Sequence, residues 1–225
     1  VREGGRAKLA RTARRKDKLD NLVAESAAAG GTAEAFALDV RDADQLKAII
    51  PAVAQSLGQP DILVNNAGIV DAEYATRMPC ELIDYVRDTN VRGVFSLSNE
   101  FGLPPVAARM PGRIVNIASI AATSYSGGGA ALYSITKAGV VRVTEALAVE
   151  WSKFHITANG SAPGLFPTDM ADGMIDRSGD FSVHFPRKRR GQPEQMDSSL
   201  LFLVSPSSDA VTGTVIKIDD GQGGR

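Results

Sequence analysis

"GRIVNIAS" (Gly112–Ser119) is followed by "YSITKAGVVRVTEALAVEWSKF" (Tyr133–Phe154) and then by "HITANGSAPG" (His155–Gly164), and this order decides the fold. The first stretch is a short, nearly continuous apolar run, the pattern of a strand covered on both faces. The middle stretch is long, rich in Ala and periodic, as a helix requires. The third returns to a strand and ends in a turn. A strand, a helix of more than ten residues and a second strand make a βαβ unit, which demands a parallel sheet.

The same alternation extends in both directions. Towards the N-terminus, "DILVNNAG" (Asp61–Gly68) reads as a buried strand ending in a polar turn, and "EAFALDV" (Glu34–Val40) as another strand. Between them "DADQLKAIIPAVAQSLG" (Asp42–Gly58) is a helix. "ELIDYVRDTNVRGVFSLSNEF" (Glu81–Phe101) is helical, with a break expected at Pro104-Pro105. Ala7–Ala13 is strand-like and carries Arg11, an unusual residue for an interior strand. "GTVIKIDDG" (Gly213–Gly221) is the last strand. Val1–Gly5 reads as the tail of a helix closed by Gly4-Gly5. The expected architecture is a doubly wound, Rossmann-like α/β fold, with residues 1–225 forming one domain.

Composition narrows the function classes. The 25 Lys and Arg against 26 Asp and Glu give a net charge of -1, which favours neither nucleic acid nor an anionic membrane. No apolar run reaches the roughly 20 residues of a membrane span. Cys80 is the single cysteine, so no intrachain disulfide forms, and a reducing, cytoplasmic location is expected. Cys80 itself reads as a small buried or half-buried side chain. No metal-ligand pattern stands out.

In doubly wound folds ligands bind beyond the carboxyl ends of the strands. Asp39, Asn65, Asn66, Ser119, Pro163 and Gly164 all fall there. Tyr133 and Lys137 lie four apart at the start of a helix and share one face. An ammonium beside a phenol lowers the tyrosine pKa from about 10 towards neutrality, making it a usable acid or base. Ser119, at a strand end upstream, is placed to hydrogen-bond the substrate oxygen.

Further pieces occur in a fixed order: "LDV" with Asp39, "NNAG" at Asn65–Gly68, "TNVRGVF" with Asn90, and "GRIVNIAS" with Ser119. Then come "YSITK", "NGSAPGLFPTDM" with Thr168, "GQPEQM" and "VTGTVIKIDDG". Together they resemble a classical short-chain dehydrogenase/reductase over essentially the whole chain. The resemblance implies an oxidoreductase that moves a hydride between a nicotinamide and a carbonyl/alcohol substrate. Its catalytic residues would be Asn90, Ser119, Tyr133 and Lys137. Tyr133 would transfer the proton and Ser119 position the carbonyl. Lys137 would hold the nicotinamide ribose, and Asn90 a relay water. Asp39 and Val40 would touch adenine, Asn66 the adenosine ribose, and Phe166 and Thr168 the carboxamide. The alternative is a non-catalytic binding or scaffold relative.

The cofactor preference is read at the end of the first strand-like run. Arg14, Arg15 and Lys16 stand there, with no acid before Asp17, which favours NADP over NAD. The resemblance also implies a first strand, a Thr-Gly-x-x-x-Gly-x-Gly turn and a helix ahead of Val1, about 23 positions in such a fold. Nothing in Val1–Lys18 matches that turn, so this chain is expected to be part of a longer protein. Residues 170–192 would form a substrate lid, with Phe181, His184, Phe185 and the basic run Arg187–Arg190. That run reads as a solvated helix end or a site for an acidic substrate. Tyr125 and Gly127–Gly129 would line the opposite wall. Asp219-Asp220-Gly221 departs from the family's Asp-Gly-Gly. A homotetramer or homodimer is implied through the two long helices, with Ala138, Val141, Ala146 and Val149 either forming its apolar stripe or facing the sheet.

Overall fold

A computed structural model describes residues 7–70, 73–125, 127–168, 171–172, 179 and 182–223. The helix tail expected at Val1–Gly5 lies outside the described residues, as does part of the expected lid, including Phe181. The regular elements are β1 (Lys8–Ala13), α1 (Lys16–Ala28), β2 (Thr32–Ala37), α2 (Ala43–Leu57) and β3 (Ile62–Asn65). They continue with α3 (Cys80–Arg87), α4 (Gly93–Ala108), β4 (Gly112–Ile117), α5 (Ala131–Trp151) and β5 (Ile156–Pro163). Helix α6 (Asp197–Val204) and β6 (Val215–Ile218) complete the order.

Every described strand pairing is parallel. β1 pairs with β2, and β3, β4, β5 and β6 follow one another in a second sheet. The crossovers are helical, as parallel pairing requires. Strand β4 shows why its apolar run does not alternate. Ile114 joins a core cluster with Leu46 and Ile49 of α2, Phe101 of α4 and Leu147 and Trp151 of α5. Its neighbour Val115 packs against Leu203 and Val204 of α6 on the other face. Both faces are covered, so both parities are apolar.

Local signals set the element ends. Asp42 caps α2, its carboxylate accepting from the amides of Asp44 and Gln45. Gly58 closes the helix at φ 94°, a left-handed-side value that suits glycine. Along α5 the fully or nearly buried residues Val140, Thr144, Leu147, Ala148 and Trp151 repeat at helical spacing. Ala138, Ala146 and Val149 turn to solvent and Val141 is half-buried. The stripe therefore does not face the sheet.

Several expectations are corrected. Glu81–Phe101 is helical throughout, as expected, but not uniformly α: a π-helical turn over Asp88–Arg92 joins α3 to α4. Pro104 and Pro105 do not break α4, which runs through both and stops at Arg109 in a left-handed conformation of φ 53°. Cys80 is exposed at the start of α3 rather than buried. Helix α1 was not apparent from its sequence, because among its side chains only Leu19 is an apolar residue buried in the core. Arg11 is accommodated by α1, donating to the Ser26 hydroxyl at 3.1 Å. Among the described residues no helix is long and apolar enough to cross a membrane.

A polar layer lies inside this apolar frame. The Asn65 amide donates to the Asn116 side-chain oxygen at 2.8 Å and to the Ser98 hydroxyl at 2.9 Å. Asn116 in turn donates to the Thr144 hydroxyl at 2.9 Å. The three amide and hydroxyl residues thus tie β3, β4 and α5 together, and α4 joins through Ser98. Asn65 is therefore a buried structural residue, not a ligand contact at its strand end. Removing Asn116 strands the partners on both sides. Asn116→Ala is expected to cost about 3 kcal/mol and to lower Tm by about 6–12 °C, measured by calorimetry against the unaltered protein.

Candidate active site

The carboxyl ends of β3 and β4 and the first turns of α5 meet around one buried cation. Lys137, one turn into α5, is 4% exposed. Its Nζ donates to the Ile117 carbonyl at 2.7 Å, where β4 ends. This places the ammonium 5.7 Å from the centre of the Tyr133 ring, on the same helix face. Ser119 follows β4 by two residues. Its Oγ accepts from the Ala121 amide at 3.1 Å, which caps a short 3-10 turn over Ile120–Ala122. The oxygen is thereby fixed while its own proton is left to donate, and it lies in hydrogen-bonding relation to Tyr133.

Asn90 closes the cluster from below. It sits in the π-helical turn and is fully buried. Its side-chain oxygen accepts from the Ile69 amide at 2.8 Å, while its nitrogen donates to the Ile69 carbonyl at 2.8 Å and the Thr136 hydroxyl at 3.0 Å. The wide turn is what lets the side chain reach the loop after β3. Gly68, in that loop, is held close to both groups. A Cβ there would stand 3.3 Å from Lys137 Nζ and 3.6 Å from Asn90 Oδ1. The four residues Asn90, Ser119, Tyr133 and Lys137 are thus brought together.

The electrostatics differ from the expected form. Loss of water around the half-buried phenol pushes the Tyr133 pKa up, and the Ser119 hydrogen bond only partly offsets it. The expected lowering by Lys137 does not prevail, because the ammonium is turned to the Ile117 carbonyl and is itself desolvated. Burial pulls the Lys137 pKa down to about 8. An ammonium has three N–H donors, and one is used on Ile117. Among the described residues no second acceptor meets it. The Gly68 side is therefore suited to a ligand rich in hydroxyl oxygens.

The remaining expected contacts are spread along the strand ends. Asp39 follows β2 and is bound by both arms of Arg41, at 3.1 Å to Nε and 2.7 Å to the terminal nitrogen. That pairing holds its pKa below the usual carboxylate range. Val40 packs on Gly93, where a Cβ would come within 2.9 Å of it. Asn66 is exposed just past β3. Arg14 and Arg15 are exposed between β1 and α1. Phe166 is buried against Gly191 and lines a cavity of about 220 Å³ with Gln195, Ile218, Asp219 and Gln222. Thr168 is exposed, its hydroxyl accepting from the Ala171 amide at 3.1 Å.

The lid-side basic run is already paired. Arg187 and Arg189 each donate to Asp220 at 2.7 Å, and Arg190 to Asp172 at 3.2 Å. Asp220 adopts φ 50°, the left-handed conformation that the family's glycine would take. Its departure from Asp-Gly-Gly thus adds a carboxylate that gathers Arg187 and Arg189, and the run is not the end of an α-helix. His184 is exposed, as expected. Sequence reasoning missed Arg41 and Tyr85. The only signal was position: Arg41 lies two residues past Asp39, and Tyr85 five before Asn90.

Known proteins resemble this chain in sequence and in fold. Residues 3–222 match a family model described as enoyl-(acyl carrier protein) reductase. The 3-oxoacyl-[acyl-carrier-protein] reductase FabG of Thermotoga maritima is 36% identical over 207 residues, which is 92% of this chain and 83% of that protein. A short-chain type dehydrogenase/reductase from Mycobacterium marinum superposes with a TM-score of 0.92 at 33% identity, covering 96% of this chain and 85% of that one. Actinorhodin polyketide ketoreductase, solved with NADPH, gives a TM-score of 0.90 at 30% identity, with 96% and 87% covered.

The buried ammonium makes a pH prediction for the ligand-free protein. Between about pH 8 and the unfolded value of 10.5, the unfolded chain binds more protons at Lys137 than the folded one. Stability contributed at this site therefore rises with pH through that window, and below it the full desolvation cost is present. Compared with Lys137→Met, the unaltered protein should gain about 3 kcal/mol from pH 8 to 10.5 in urea unfolding. Parallel curves for the two proteins would contradict a desolvated, uncompensated ammonium.

Proposed function

The chain belongs to the classical short-chain dehydrogenase/reductase family and is an oxidoreductase of that family, and from this premise we propose that it is an NADP(H)-dependent carbonyl reductase with Tyr133 as its proton donor. The observation that carries the reading is the convergence of Ser119, Tyr133 and the incompletely satisfied ammonium of Lys137 at the end of β4.

The dinucleotide fits at two ends. Lys137 would take the nicotinamide ribose hydroxyls with the donors it does not spend on Ile117, and the exposed Asn66 the adenosine ribose. Arg14 and Arg15, past β1, suit a 2′-phosphate. Phe166 and Thr168 would flank the carboxamide, and Val40 with Asp39 the adenine. When bound, the nicotinamide supplies the hydride. The protein's part is the proton and the geometry. Ser119 donates its O–H to the substrate carbonyl oxygen, exchanging it from Tyr133, while the Ala121 amide on one lone pair keeps the hydroxyl oxygen in place. Tyr133 then gives its proton to the same oxygen. Its raised pKa keeps the phenol protonated at neutral pH, the state that carbonyl reduction requires. Lys137 supports the phenolate left behind, and it stays charged below about pH 8. Asn90 holds the loop after β3 against α5 and so fixes the Gly68 side of the site.

The names of the relatives agree with this direction, since both a 3-oxoacyl reductase and a ketoreductase reduce a carbonyl group. Residues 170–192 are proposed as the substrate lid within a single domain. A homo-oligomer is proposed through α4 and α5, supported by Phe95 at 52% and Val149 at 80% exposure.

Tyr133→Phe should reduce NADPH-dependent carbonyl reduction at least ~100-fold while leaving NADPH binding within about twofold in a fluorescence titration. Unchanged turnover would remove Tyr133 from the mechanism. Sedimentation velocity should give a dimer or tetramer, shifted to smaller species by Val149→Asp.

A further inference from the structure

We propose that Tyr85, on α3, positions Arg14 for the 2′-phosphate and thereby sets the preference between the two dinucleotides; this rests on the NADP(H) reading above. One tyrosine side chain holds two guanidinia. Its hydroxyl accepts from Arg14 at 3.0 Å, and its ring lies 4.5 Å from the guanidinium carbon of Arg41. The two arginines are not equivalent. Arg41 is bound in two places by Asp39, so its charge is compensated. Arg14 donates to a neutral oxygen and, among the described residues, forms no ion pair, although its charge is felt by Asp39 at longer range.

The nearby charges leave that difference intact. Asp84 pairs with Arg87, and Asp88 pairs with Arg87 and Arg92. Arg92 also donates to the Arg41 carbonyl at 3.2 Å. Four guanidinia (Arg14, Arg41, Arg87, Arg92) thus face three carboxylates (Asp39, Asp84, Asp88), and the one with no direct carboxylate contact among the described residues is Arg14, at the end of β1, which acts on Asp39 only through space. A carboxylate in place of the Tyr85 hydroxyl would have cancelled its charge. The phenol instead restrains a long, exposed side chain and leaves its charge and its remaining N–H donors for a ligand. Restraint before binding lowers the entropy that a phosphate contact must offset. The ring is held in turn by its contact with Arg41. The contact also crosses the fold, from the end of β1 to α3, 71 residues away in the chain.

The test uses the full chain and three variants: Tyr85→Phe, Arg14→Gln and the pair combined. NADPH and NADH are titrated by nicotinamide fluorescence, and adenosine 2′,5′-bisphosphate by calorimetry. Tyr85→Phe should weaken NADPH and the bisphosphate about 3- to 10-fold and leave NADH unchanged, because only the ligands with a 2′-phosphate use Arg14. Arg14→Gln should weaken them at least as much, and the combined variant no further than Arg14→Gln alone. Equal weakening of NADPH and NADH by Tyr85→Phe would make Tyr85 merely structural and overturn the inference. So would NADPH binding unaffected by Tyr85→Phe in a protein that otherwise binds it. An unaltered protein that binds neither dinucleotide would overturn the NADP(H) reading, and this inference with it.

Discussion

The hydrogen bond from Lys137 to the Ile117 carbonyl is the contact to which the rest of the site is referred. It joins the second turn of α5 to the last residue of β4, and it can do so only because the ammonium is buried. A buried cation is expensive unless it is paired or hydrogen-bonded. Here the acceptor is a neutral carbonyl, so the charge is held in place without being cancelled. Tyr133, one turn earlier, is thereby set over the same strand end as Ser119. Asn90 reaches them from another helix because the π-helical turn over Asp88–Arg92 re-aims its side chain.

The support for this arrangement lies one layer deeper. Asn65, Asn116, Ser98 and Thr144 form a hydrogen-bonded set between β3, β4, α4 and α5. Each of the four side chains has a partner within it, and such a set fixes register and orientation more sharply than apolar packing does. Ser119, Tyr133 and Lys137 follow or lie on β4 and α5, two of the elements that this set locks together.

The charged surface is organised by the same logic of compensation. At the C-terminal turn Asp220 gathers Arg187 and Arg189, so the most basic run of the sequence is satisfied within the fold. At the end of β1 Asp39 pairs directly with Arg41, while Arg14 donates to a phenol and acts on Asp39 only at longer range. The two basic clusters look alike in the sequence. Which of them keeps a charge for a ligand depends on acids that are distant in the chain, and a net charge of -1 conceals both.

The sequence by itself determined the parallel α/β frame, since unalternating strands such as Gly112–Ile117 and a periodic helix such as α5 carry their own period. It also picked out the proposed catalytic set, because Tyr133 and Lys137 share a helix face by spacing alone and the ordered motifs put Ser119 and Asn90 forward with them. Tertiary structure decided what spacing does not encode. It ran α4 through Pro104 and Pro105, exposed Cys80, and formed α1 from a segment with one apolar residue in the core. It reversed the expected direction of the Tyr133 pKa, because desolvation depends on what surrounds a group rather than on its neighbour four residues on. It brought Tyr85 to Arg14 across the fold, a pairing that no local pattern announces. Period and motif are local properties of a chain, whereas burial and charge compensation exist only once distant segments have met.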